Sequence, residues 1–246
     1  PTGPPSDRAA TRCSPPPKPD TAQDSLNQAL TSAGYKNLSE YRQKMIKQIQ
    51  YANFLLDYID DHFDDVFNDY YQQCAPKYVS LIKISVSDTS SPTDDETSKL
   101  NEVKELISNT DKSFGDIAQD YSNDSTSSKK GSLGIVDSKD TSGIANSYGK
   151  DVFNAIEALS EGQVSDVITG DNGYYFVKVT STDKKTLKKE LKKTDIDSPL
   201  LAYDDYLQYV VYNSYKINYK DKDIKKIVQE VVNKALEERK TERGEA

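Results

Sequence analysis

Few residues in this chain have the chemistry to make or break bonds. There is one histidine, His62, and there are two cysteines, Cys13 and Cys74, in 246 residues. A single histidine excludes a histidine dyad and a histidine-ligated metal. Two isolated cysteines give neither a disulfide framework nor a cysteine-type zinc site. His62 stands in "DYIDDHFDDVFNDYY", an acidic run without the Asp-x-Asp-x-Asp-Gly spacing of a calcium loop, so it reads as part of a solvated helix face. The polar chemistry is instead skewed to 40 acids and 17 tyrosines. The stretch "YSNDSTSSKKGSLG" (121–134) holds one acid, Asp124, and closes on a Gly-x-x-Gly bracket. It reads either as a surface loop or as the wall of a site.

The chain that must position these groups is 35% hydrophobic with a formal charge of −8. Its length suffices for one large or two modest domains with a real core. No segment reaches the ~18–20 apolar residues that span a bilayer. The acidic balance argues against nucleic acid as a partner, because phosphate binding needs Lys and Arg to displace counterions. Residues 1–20, "PTGPPSDRAATRCSPPPKPD", have no apolar core of a signal peptide and read as a disordered tail. Arg12 makes Cys13 a poor lipid-attachment site.

Apolar steps of three and four predict helices over 21–33 and 38–63, then another in "DDVFNDYYQQCA", stopped by Pro76. The period changes at Lys77. "YVSLIKISV" (78–86) is a strand, 94–109 and 112–121 are helices, Leu133–Val136 is a short strand, and 152–159 is a two-turn helix. Residues 164–181 form a hairpin whose "DNG" (171–173) supplies positive-φ turn positions. Helical patterns resume at "KKTLKKELKK" (184–193), Leu200–Ile217 and Ile224–Leu236, and the end "ERKTERGEA" reads as frayed. The helices before residue 77 and after 184 each carry an unsatisfied apolar stripe. Packing them together leaves 78–181 as an inserted α+β domain. The expected organisation is a tail at 1–20, a helical lobe at 21–77, the inserted domain at 78–181, helices at 182–238 and a tail at 239–246.

That inserted segment resembles a parvulin-type peptidyl-prolyl isomerase domain. "FGDIAQDYSND" (114–124) resembles the family's F-x-x-x-A-x-x-Y-S-x-D, "GSLG" (131–134) its G-D-L-G, "ALSEGQVSDVI" (158–168) its L-x-x-G-E-V-S, and "NGYYFVKV" (172–179) its closing G-Y-H-x-I-K strand. With the flanking helices, about residues 24–238 resemble PrsA-type extracytoplasmic foldases, and more distantly the SurA-like chaperones. The helical region before the domain is shorter than that family's, as though part of the lobe were missing. The resemblance implies a four-stranded antiparallel sheet with helices, inserted in an all-α lobe.

It also implies site residues. The family's first-strand histidine falls on Leu81, and its Cys-or-Asp position on Asp124. The apolar floor falls on Leu133 and on Val152 or Phe153, the polar residue before the last strand on Asn172, and the last-strand histidine on Tyr175. Both histidines are therefore replaced, and the Leu81 side chain has no hydrogen-bonding group, whereas the Tyr175 phenol has one. Rotation about a prolyl bond faces ~18–20 kcal/mol and breaks no bond, so a catalyst needs only an apolar pocket and donors that favour the twisted amide. Asp124, Tyr175 and Asn172 are the candidate catalytic groups. Leu81, Leu133, Val152 and Phe153 are the candidate substrate-binding groups. Asp124 also reads as a loop or capping carboxylate, Tyr175 as an aromatic on a half-buried strand, and Leu133, Val152 and Phe153 as core.

The resemblance implies an extracytoplasmic foldase with weak isomerase activity and no cofactor or metal, or else a catalytically silent holdase. Its partners would be unfolded secreted proteins with X-Pro bonds, at the outer face of the cell membrane through a lipid anchor outside this chain. A homodimer through the helical lobe is compatible with it. The basic run at 184–193 is either a solvated helix face or a contact to anionic polymers. The row Tyr203, Tyr206, Tyr209, Tyr212 and Tyr215 is either a helix interface or a client surface.

Overall fold

The structure is a computed structural model that describes residues 19–191 and 196–245, with side chains from residue 22. Of the expected tail, residues 1–18, with Cys13, lie outside the described residues, as do Lys192 and Lys193 of the basic run. The described residues divide into two compact units, one up to Tyr51 and one from Ala52 onward.

In the first unit, α1 (Pro19–Ser32) ends before Gly34, which takes φ +83°, and α2 (Leu38–Asp61) begins after it. The Asn37 side chain caps α2 by accepting from Glu40 N–H at 2.9 Å. Tyr35 packs edge-on to Tyr41 with centroids 5.1 Å apart.

In the second unit, α3 (Phe63–Cys74) follows α2 after a break at His62, whose ring stacks on Tyr58. Ala75 in a left-handed conformation and Pro76 end α3. Leu55, Ile59, Phe67 and Tyr70 then pack with Leu187 and Leu191 of α8 (Lys184–Leu191), with Leu200 and Tyr203, and with Leu207 and Val211 of α9 (Leu207–Ser214). The basic run is thus an amphipathic helix that buries its two leucines, while Lys188 pairs with Asp64 at 2.7 Å.

Between these helices runs a four-stranded antiparallel sheet of order β2-β1-β4-β3. Its strands are β1 (Lys77–Ser85), β2 (Ser132–Val136), β3 (Ile168–Gly170) and β4 (Gly173–Ser181). Strand alternation sends Ile82, Ile84 and Phe176 to one face, against α4 (Asp94–Asn109) and α5 (Phe114–Tyr121). It sends Val79, Leu81, Tyr175 and Val177 to the other, against α6 (Ile144–Tyr148) and α7 (Lys150–Ala158). Thr93 and Glu96 form a reciprocal capping box at α4. No described helix is long and apolar enough to cross a membrane.

Four local expectations are corrected. The β3–β4 turn does not use positive φ at Asp171 or Asn172, although Gly170 and Gly173 pair across two residues as a tight hairpin should. The predicted helix 200–217 is broken: a 3-10 turn at Pro199–Leu201 precedes α9, because the buried Asp204 carboxylate accepts from Tyr206 N–H and stops the turn there. The described part of the end is helix and ion-paired where fraying was expected. α10 (Lys222–Glu242) carries Arg239, and Arg243 follows it. Both guanidiniums bridge Asp69 and Asp204 at 2.6–3.0 Å. The stretch 121–134 is also more than loop, holding a 3-10 turn at Ser125–Lys129.

The tyrosine row divides accordingly. Tyr203 is buried with its hydroxyl on Asp69 at 2.8 Å, and Tyr206 donates to Glu242 at 2.6 Å. Tyr212 and Tyr215 are exposed against Phe54.

Candidate functional site

The site is built where the chain crosses the open end of β1. Past the β1–β2 pairing, residues 122–131 continue along β1 in place of a strand. Leu81 N–H donates to the Gly131 carbonyl at 2.8 Å, Lys83 N–H to the Ser122 hydroxyl at 3.0 Å, and Asn123 N–H to the Lys83 carbonyl at 2.8 Å. This seam fixes Asp124 beside the sheet. Its Oδ1 caps the 3-10 turn, accepting from Thr126 N–H at 2.9 Å and the Thr126 hydroxyl at 2.7 Å. The same oxygen accepts from the Tyr148 hydroxyl at 3.4 Å.

Tyr148, at the end of α6, is the hub. Its ring meets Tyr175 edge-on with centroids 6.2 Å apart. Burial and the neighbouring Asp124 carboxylate push its phenol up to about 12, so it remains a donor at neutral pH. Tyr175, 3% exposed, donates to Asn172 Oδ1 at 2.9 Å. Its ring crosses Gly170 so closely that a β-carbon there would lie 2.6 Å from Cε2. Lys83, directly opposite Tyr175 in the β1–β4 ladder, places Nζ over the Tyr175 ring at 5.6 Å.

Two clefts flank Tyr148. One, of about 410 Å³, is lined by Tyr148, Val152, Ile168, Asn172 and Tyr175 together with residues 145–151. The other, of about 380 Å³, has Leu133, Ile144 and the Tyr148 ring as its apolar surface, with Ser125, Thr126, Ser132, Ser142 and Ser147 supplying hydroxyls and Lys129 at its margin.

The fold therefore brings together Asp124, Tyr148, Tyr175 and Asn172, and places Leu133 and Val152 in the flanking walls. It does not bring Leu81 or Phe153 to either cleft. Leu81 is wholly buried among Val79, Val177 and Val152, and Phe153 packs partly buried on the same core. The residues missed from the sequence are Tyr148, Ile144 and Lys83. Lys83 was legible as the residue two beyond Leu81 on one strand face. Tyr148 and Ile144 lie in a five-residue helix too short to show a period. Among the described residues no cluster of three or more His, Cys, Asp or Glu side chains is arranged to hold a metal ion.

Residues 81–181 match the family model described as Rotamase: PPIC-type PPIASE domain. The foldase protein PrsA of Staphylococcus epidermidis is 32% identical over 141 residues, covering 54% of this chain and 41% of that protein, and the PrsA of Staphylococcus aureus strain MRSA252 has the same identity and coverage. The chain spans 41% of the length of these curated relatives. Among solved structures, PrsA from Bacillus subtilis superposes with a TM-score of 0.41 at 20% identity, covering 83% of this chain and 75% of that one. TbPIN1 superposes with a TM-score of 0.36 at 18% identity, covering 44% and 98%. Residues 81–181 are thus similar to PPIC-type rotamase domains, set in a chain that is similar to the PrsA foldases.

Proposed function

We propose that this chain is an extracytoplasmic foldase that holds unfolded secreted clients and turns their X-Pro bonds slowly in the domain at 78–181. The observation that carries this reading is the meeting of Asp124 and Tyr175, far apart in the sequence, at the two sides of Tyr148 between the clefts. Leu133, Ile144 and the Tyr148 ring offer a proline ring an apolar seat, and the phenols and Asp124 supply polar groups at its edge. Both phenols are engaged at rest. Either can reach a twisted amide only by leaving its partner, a cost of about 1 kcal/mol that fits a slow catalyst. In this reading the helices at 21–77 and 182–238 serve as the lobe that holds clients. Anchoring to the outer face of the membrane through a lipid, and pairing of two chains through the lobe, belong to the same reading.

A proline-limited refolding assay tests it. The intact protein is expected to accelerate the slow phase. Tyr148→Phe should lower that acceleration by about tenfold, the equivalent of one hydrogen bond to a charged group, and Asp124→Ala should abolish it. The sealed Leu81 and the satisfied Tyr175 hydroxyl favour one alternative, a holdase without isomerase activity. No acceleration by the intact protein, together with suppressed aggregation of an unfolded client, decides for that alternative.

A further inference from the structure

Among the described residues, Asp137 is the one carboxylate-bearing residue with no exposure at all, and the site chemistry above does not use it. It opens the loop between β2 and α6. Its Oδ2 accepts from the hydroxyl of Tyr70, a residue of α3 that is also fully buried, at 2.9 Å. The Thr141 hydroxyl donates to the same oxygen, and Oδ1 takes Lys139 N–H at 3.0 Å and Thr141 N–H at 3.3 Å. Two further bonds tie this loop to the helices: Ser138 N–H to the Cys74 carbonyl at 2.9 Å, and Lys139 Nζ to the Tyr203 carbonyl at 2.8 Å.

The loop passes this constraint on. Asp140 takes φ +53° and donates its N–H to the Asp137 carbonyl at 2.9 Å. Its two carboxylate oxygens then cap α6, from Ile144 N–H at 2.6 Å and Ala145 N–H at 3.0 Å. A five-residue helix has too few internal bonds to hold its own orientation. Beside the burial of Ile144 in the core, its placement, and hence that of Tyr148, depends on this cap.

We propose that the helical layer of α3 and residues 199–204 sets the shape of the prolyl clefts through Tyr70 and Asp137, which act as positioning residues for Tyr148. The inference rests on the function proposed above for what the clefts bind, but its mechanical part does not depend on that function. The burial that pushes the Tyr70 phenol well above its ordinary range keeps it a donor, in keeping with the geometry.

Amide exchange on the full chain tests the mechanical part. Tyr70→Phe keeps the packed ring and removes one donor to Asp137. It should reduce protection of the Ile144 and Ala145 amides by about tenfold or more while the β1 and β4 amides keep theirs. Lys139→Met removes a second tie at an exposed position and should act in the same direction, giving the answer should Tyr70→Phe fail to fold. Tyr203→Phe breaks a hydroxyl bond to Asp69 in the same layer and should leave Ile144 and Ala145 unchanged. Unaltered protection at Ile144 and Ala145 in the first two variants overturns the proposal. So does a loss spread evenly over sheet and helix, or an equal loss in Tyr203→Phe. With a prolyl peptide as substrate, Tyr70→Phe should raise KM severalfold with kcat little changed. If the intact protein neither binds nor isomerises that peptide, the proposed function fails, and the exchange result still decides the positioning role.

Discussion

Asp204→Ala is expected to lower the unfolding free energy by about 3–5 kcal/mol, the cost of leaving buried charges without their partner. The Asp204 side chain is 2% exposed and its Oδ2 accepts from Arg239 Nε at 2.8 Å and Arg243 Nη2 at 2.9 Å. Asp69 takes the remaining contacts of both guanidiniums, so two acids balance two bases. Removing one acid leaves two half-buried cations facing one carboxylate. It also frees the Tyr206 N–H that Asp204 holds at the break before α9. Urea or thermal unfolding measures the effect, which corresponds to roughly 10 °C in Tm for a unit of this size. Surface pairs such as Lys226–Glu230 give the contrast, since exposed pairs contribute only ~0–1 kcal/mol. A loss below about 1 kcal/mol for Asp204→Ala would show that the Arg239–Arg243 cluster is solvated and does not secure α10.

Gly131→Ala should cost about 2–5 kcal/mol and disable the site as well, the sum of a conformational and a packing penalty. Gly131 takes φ +75°, which costs a residue with a side chain about 1–2 kcal/mol. An added β-carbon would also lie 2.4 Å from the Leu81 carbonyl oxygen and 2.8 Å from Ala118 Cβ, an overpacking of about 1–3 kcal/mol. Neither neighbour can swing aside, because one is strand backbone and the other is a buried helix residue. Relief must come from lifting 125–133 off β1, which takes Asp124 and Leu133 out of place. The matched control is Gly134→Ala, at φ +82° with nothing within 4 Å of the new carbon. That variant should show only the smaller conformational penalty and retain peptide binding. Equal stability of the two variants by chemical denaturation would refute the close approach at Leu81.

These two residues illustrate what the sequence could and could not reveal. The alternation of "YVSLIKISV" and the three-four spacing of 94–109 made β1 and α4 legible, because each pattern reports burial of the element itself. The stretch 121–134 was legible only at its ends. Within it Asp124 caps a turn, the one of its two expected roles that the geometry displays, and the same oxygen meets Tyr148. Tyr148 itself was illegible. "IANSY" is shorter than two turns, and its cap, Asp140, is held through Asp137 by a bond from Tyr70, far along the chain. The role of "ERKTERGEA" was hidden for the same reason. Arg239 and Arg243 have no apolar pattern, and their partner Asp69 lies 170 and 174 positions away. Periodicity reports local burial, and charge pairing at that separation leaves no period.

The antiparallel ladder of β1 and β4 has a consequence for how the chain assembles. Tyr78 pairs with Ser181, and the Thr180 hydroxyl donates to the Tyr78 carbonyl at 2.8 Å, so the domain's entrance and exit lie side by side. The helical core needs residues 54–74 to meet 187–211, segments on opposite sides of the whole domain. For a floppy chain, closing such a loop carries an entropic penalty that rises with the logarithm of its length. Once the sheet has formed, that closure is already made, and α3 and α8 start as near neighbours. The domain at 78–181 would then fold first and template the helices on either side of it, acting as a scaffold for its own chain.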